Sequence, residues 1–123
     1  MGKKNSFFLT EAEEKLAGII WREAPLSSPE LVALADRELD WRKSTTYTVL
    51  KKLCDKGVSS NKRAFVTALL TPDEQKARES RDFVEDAFGG SLPRFVSAFI
   101  GGGKLTREQA AELQRLIDEH EES

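Results

Sequence analysis

The chain has 123 residues, 39% of them hydrophobic and 33% charged, with a formal net charge of −2. That length fits one domain, or a small domain with an appendage, and that balance excludes collagen-like, low-complexity and membrane-spanning chains; no apolar run approaches the roughly 18 residues a bilayer span needs. One cysteine, Cys54, and one histidine, His120, leave no disulfide framework, no cysteine- or histidine-based metal site and no catalytic dyad. No cofactor and no enzyme activity are therefore expected.

Met1-Gly2-Lys3-Lys4-Asn5 is basic, but Phe7-Phe8-Leu9 is far too short for the core of a secretory leader, so a cytoplasmic protein is expected. Thr10-Glu11-Ala12-Glu13 has the form of a capping box. With Ala12, Leu16, Ile19 and Ile20 at helical spacing behind it, it predicts an amphipathic helix over 10–23. Pro25 and Ser27-Ser28 break that helix. Ser28-Pro29-Glu30 opens a second one, with Pro29 in the first turn, where its missing amide does no harm. Leu31, Leu34 and Ala35 form its apolar face, followed by Leu39 and Trp41. A third helix is predicted over 43–56, closed by Gly57 in the left-handed C′ position.

The only β-like stretch comes next. Phe65, Val66 and Thr67 carry the strand signal, and the polar Ser60-Asn61-Lys62 run reads as a tight turn between two short strands. A two-stranded hairpin cannot stand alone, so it is expected to pack on the preceding helices. Thr71-Pro72-Asp73-Glu74 is another capping box and opens a helix that Gly89-Gly90 stops after Phe88. Ser91-Leu92-Pro93 begins a short helix carrying Phe95, Val96, Phe99 and Ile100, and Gly101-Gly102-Gly103 reads as a flexible break. Thr106 to Gln109 caps the last helix, where Ala110, Leu113, Leu116 and Ile117 make one stripe; Glu119-His120-Glu121-Glu122 is expected to fray.

Three helices followed by a hairpin is the order of a winged helix. The expected fold is mainly α with a small β-hairpin wing (α+β): a winged helix-turn-helix over 1–71 and a helical dimerisation module over 72–123. Charge divides the same way, with 12 Lys/Arg against 9 Asp/Glu in 1–72 and 7 against 12 in 73–123. Arg37 to Arg63 alone holds 8 basic and 3 acidic residues, a composition suited to a polyanion.

On the third helix Thr46, Val49, Leu50 and Leu53 recur at i, i+3, i+4 and i+7 and should face the core. The opposite face presents Ser44, Thr45, Tyr47, Thr48, Lys51 and Lys52, with Arg42 and Lys43 at its start and no carboxylate before Asp55. Hydroxyls and amines donate to phosphates and base edges, and a helix fits the major groove. Asn61, Lys62 and Arg63 are placed at the wing tip. Trp21 and Trp41 are read as core, and Cys54 as a small buried hydrophobe. Carboxylate pairs such as Asp82/Asp86 and Glu108/Glu112 are read as solvated helix surface rather than hydrolase chemistry.

Asp40-Trp41-Arg42-Lys43-Ser44-Thr45-Thr46-Tyr47-Thr48-Val49-Leu50-Lys51-Lys52-Leu53-Cys54-Asp55-Lys56-Gly57 closely resembles the recognition-helix segment of the penicillinase/methicillin repressor (BlaI/MecI/CopY) family of bacterial regulators. The resemblance extends upstream to Leu9–Glu13 and Ile20-Trp21, and downstream to Phe83–Leu92 and Lys104-Leu105-Thr106. It implies a homodimeric winged-helix repressor that binds a palindromic operator. By position it carries Ser44, Thr45, Tyr47, Thr48 and Lys51 onto the operator-facing side, and Trp41 onto the aromatic anchor before the helix. Two departures stand out. Arg42 occupies the usual serine cap, leaving the helix start to Asp40 or water, and the wing is about three residues shorter than usual. The copper-sensing branch ends in a paired-cysteine motif that a single cysteine cannot form. The antibiotic-responsive branch is cut by a protease at an Asn-Phe bond. Ala98-Phe99 stands there, so cutting is not expected and another signal should control release.

Phe83, Phe88, Phe95 and Phe99, with Leu113, Leu116 and Ile117, are more apolar surface than three short helices bury alone. Two interlocking copies would cover it, giving an isologous dimer; packing of these helices back on the winged helix is the alternative, and the family resemblance favours the dimer. Double-stranded DNA and a second copy are thus the expected partners, with no membrane partner and with an unidentified inducer or protease left open. Two other readings stay open: a protein-interaction module that kept the winged-helix shape, and a regulator responsive to a small molecule.

Overall fold

The computed structural model describes residues 7–122, and the basic Met1–Asn5 segment lies outside them. The first helix, α1 (Glu11–Glu23), opens at the expected capping box: the Glu13 amide donates to Thr10 Oγ1 at 3.2 Å, and the Thr10 amide donates to Glu13 Oε1 at 2.9 Å. A two-residue strand, β1 (Leu26–Ser27), precedes α2 (Ser28–Leu39), which Ser27 caps reciprocally with Glu30. The third helix, α3 (Lys43–Asp55), leads into β2 (Ser59–Lys62) and β3 (Phe65–Ala68). Then come α4 (Pro72–Phe88), α5 (Leu92–Gly101) and α6 (Arg107–His120). This is an α+β winged-helix fold.

The sheet corrects the sequence reading twice. It has three strands, ordered β1-β3-β2 and antiparallel, because Leu26 and Ser27 pair with Val66 and Phe65. The polar Ser60-Asn61-Lys62 run lies in a strand, with Lys62 opposite Phe65, and the turn is Arg63-Ala64. Both turn residues have positive φ, 54° and 64°. Two left-handed residues match the right-handed twist of a hairpin, which is why so short a loop closes here. Hydrogen bonding from Ser28 N–H to the Ala64 carbonyl at 2.8 Å fixes the turn from outside.

The stripes read from the sequence meet in one core. Leu16 and Ile20 of α1, Leu31 and Ala35 of α2, and Val49, Leu50 and Leu53 of α3 close on Leu26, Val58 and Val66 of the sheet region. Each large aliphatic side chain so buried contributes about 1.5–3 kcal/mol. Trp21, Trp41 and Cys54 pack half-buried against this core, Trp21 also donating to the Leu70 carbonyl at 2.8 Å.

Polar side chains fasten α4 to the same unit. Gln75, 2% exposed, donates to Glu79 and to the Phe7 carbonyl, and Arg78 donates to the Lys56 carbonyl at 2.6 Å. Lys56 in turn pairs with buried Glu13 at 2.6 Å. Burial pushes the Glu13 carboxyl up, but the Lys56 ammonium and the Thr10 amide outweigh it and hold the group below its ordinary range.

The chain divides into two compact units between Asp82 and Phe83, inside α4. In the second unit Ser91 caps α5, and Thr106 caps α6 reciprocally with Gln109. Gly101 still belongs to α5, and the break falls after it. Glu119 and His120, expected to fray, are helical; Arg115 pairs with both Glu112 and Glu119, and the His120 ring meets the Leu116 carbonyl. Phe83, Phe88 and Phe95 stack edge-to-face with centroids 5.6–6.0 Å apart, and Phe99 extends the cluster at 6.1 Å from Phe95. No residue among 83–122 is buried.

Candidate nucleic-acid interface

The third helix is held by Thr46, Val49, Leu50 and Leu53, all buried, so its opposite face is fixed toward solvent. Ser44, Thr45, Thr48, Lys51 and Lys52 are exposed there, with Arg42 and Lys43 at the start. The wing adds Lys62 and Arg63, both exposed. Lys51 lies 3.4 Å from Asp55, both well solvated, a pairing of the kind that contributes about 0–1 kcal/mol and yields to a better partner. Lys56 is different. Its ammonium turns inward to Glu13 and the Phe8 carbonyl.

The start of α3 is unlike those of its neighbours. Thr10, Ser27, Thr71 and Thr106 each accept from the third amide of the helix they open, and the first turns behind them hold acidic residues. Arg42 makes no such bond, and the first turn of α3 contains no acid. Asp40, expected as one candidate cap, serves elsewhere. In the left-handed conformation (φ 60°) it closes α2, donating its amide to Ala35 and Asp36 carbonyls. The first amides of α3 and its positive dipole end are thus offered, with Arg42 and Lys43, to an outside anion.

One expected contact residue stands apart. Tyr47 is half-buried against the core, and its hydroxyl donates to Ser28 Oγ at 3.1 Å. Sequence reasoning missed Ser28, whose partners lie 19 and 36 positions away with no local spacing to announce them. The residues expected at the dimer interface are only partly covered: Phe83 is 43% exposed, Ile117 58% and Phe99 72%, while Phe88 and Phe95 are half-buried. Ala98-Phe99 lies inside the helical hydrogen bonding of α5. Among the described residues no group of His, Cys, Asp and Glu is placed to hold a metal ion, and no helix is long and apolar enough to cross a membrane.

A winged helix with its third helix bared on one face defines a fold class that many regulators share. The chain matches the penicillinase repressor family over residues 9–119 and belongs to that family, one of transcriptional repressors rather than enzymes. It is 25% identical to the penicillinase repressor of Bacillus licheniformis, covering 91% of each chain. It is 21% identical to the methicillin resistance regulatory protein MecI of Staphylococcus aureus (strain N315), covering 92% of this chain and 95% of that one. An uncharacterized 16.5 kDa protein of Latilactobacillus sakei is 24% identical, over 93% and 81% of the two chains.

Proposed function

We propose that this repressor binds a palindromic DNA operator as a homodimer, with α3 in the major groove and the wing against the backbone. The observation that carries the reading is the outward face of α3: hydroxyls and cations, an uncapped positive end, and no acid before Asp55. Arg42, Lys43, Lys51 and Lys52 contact phosphate, joined by Lys62 and Arg63 of the wing. Ser44, Thr45 and Thr48 reach base edges, while Tyr47, expected beside them, turns its hydroxyl to Ser28 instead.

Residues 1–71 form the DNA-binding module in this reading and 72–123 the dimerisation module, with the first turns of α4 fastened to the head. The second copy covers Phe83, Phe88, Phe95, Phe99, Leu113, Leu116 and Ile117. The exposure of the last helix supports this, because about 25 cal/mol per Å² of apolar surface is available to whatever covers it. Release from DNA runs through a signal other than cutting at Ala98-Phe99. For the small-molecule reading, a cavity of about 450 Å³ lined by Pro25, Leu26, Leu34 and Arg37 lies within the usual ligand range of roughly 300–1,000 Å³, and a second of about 260 Å³ lined by Leu9, Trp21, Pro72 and Gln75 lies below it.

Selection from a random DNA pool with the purified protein tests the reading. Two related half-sites should emerge, one or more helical turns apart at roughly 34 Å per turn. Lys51→Ala and Lys62→Ala should each weaken binding and reduce the salt-dependence slope by about 0.9. A pool that enriches no sequence, or lysine changes that leave the slope untouched, would remove this assignment in favour of a protein-interaction module.

A further inference from the structure

Ser28 is a small side chain at a crowded junction. It is 3% exposed and begins α2. Its amide donates to the Ala64 carbonyl at 2.8 Å, and its Oγ accepts the Tyr47 hydroxyl at 3.1 Å. One buried residue therefore joins the recognition helix, the start of α2 and the wing turn.

The wing turn needs such support. Arg63 and Ala64 both sit in the left-handed region, where the Cβ of an L-residue crowds the following carbonyl. Glycine or asparagine is the usual occupant of such positions, and neither is present. A strained pair of this kind persists only where its surroundings fix it, and such pairs gather at functional sites. Here the Ser28 amide supplies the fixing bond, and the conformation it holds carries Arg63, a wing cation.

We propose that Tyr47 is a positioning residue rather than a reader of bases: through Ser28 it ties α3 to the Arg63-Ala64 turn, so that helix and wing meet DNA as one body. This rests on the DNA-binding reading given above. Its geometric basis is that the Tyr47 hydroxyl is engaged with buried Ser28 Oγ at 3.1 Å instead of standing free for a base edge. Base reading then falls to Ser44, Thr45 and Thr48, while Tyr47 governs how well the wing cations engage phosphate.

The test compares Tyr47→Phe and Ser28→Ala, which remove the same hydrogen bond from its two ends, in DNA-binding titrations across salt concentrations with melting followed in parallel. Each should lose about 3- to 10-fold in affinity, the scale of one net hydrogen bond, and the double variant should be no worse than either single one. Preferred bases selected from a random pool should not change. In the wild-type background Arg63→Ala should lower the salt slope by about 0.9, but in the Tyr47→Phe background it should lower it much less, because the wing is already uncoupled. A purely structural tyrosine would shift melting and leave the Arg63→Ala effect intact, which overturns the proposal. So does a changed base preference at one position in Tyr47→Phe, which would make the residue a reader. A wild-type chain that selects no DNA overturns the DNA-binding reading itself, and is distinct from both.

Discussion

Residues 7–82 enclose Leu16, Leu31, Leu53 and Val66 completely, whereas residues 83–122 are half-buried or exposed. Both regions have comparable raw material: amphipathic helices, sound caps and large apolar side chains. What differs is closure. In the first, three helix stripes and a three-stranded sheet face one another from several directions, so each covers the rest. In the second, an aromatic cluster and the α6 stripe are assembled but left open to water. A protein's apolar residues thus locate its core only when enough elements surround them; otherwise they stay on the surface.

Deleting residues 104–123 should break this contrast most severely. The head, with its own closed core, should stay folded, while the chain becomes monomeric in sedimentation. Operator affinity should fall by about two to four orders of magnitude, as one half-site loses the help of the other. A truncated chain that still sediments as a dimer would place the interface elsewhere.

A pair of single substitutions sharpens the contrast. Leu53→Ala should cost about 2–5 kcal/mol of unfolding free energy, since the side chain is enclosed and leaves a cavity. Phe99→Ala, 72% exposed in one chain, should barely change unfolding of the head but weaken self-association about tenfold or more. Equal melting shifts for the two would mean that Phe99 is a core residue of the single chain.

Much of the fold is legible in the sequence because its signals are local. Thr10/Glu13, Thr71/Glu74 and Thr106/Gln109 sit three residues apart and form the reciprocal bonds their spacing predicts. The buried stripe of α3 follows from a period of 3.6. What escaped is non-local. A two-residue strand at Leu26-Ser27 has no period of its own and exists only through its pairing with β3. The Arg63-Ala64 turn carries no glycine, asparagine or aspartate to announce it, so the sequence points to its polar flank at Ser60–Lys62 instead. The inward bond of Tyr47, which the sequence places on the outward face of α3, depends on a serine 19 residues away.

Smallest in expected size, but informative about both the head and its target, is the effect of giving α3 the cap it lacks. Arg42→Asp would place an acceptor over the first amides and a negative charge at the positive end of the helix, stabilising the free protein by about 0.5–2 kcal/mol. The same carboxylate would stand where phosphate is proposed to arrive, so melting temperature should rise while operator affinity falls; a variant that gained both would show that the uncapped start is incidental. On this view the helix most directly concerned with DNA is also the least finished as a helix. Its open first turn is a reserve of stability left unclaimed in the free chain, which the proposed operator phosphates would claim by supplying the missing acceptors.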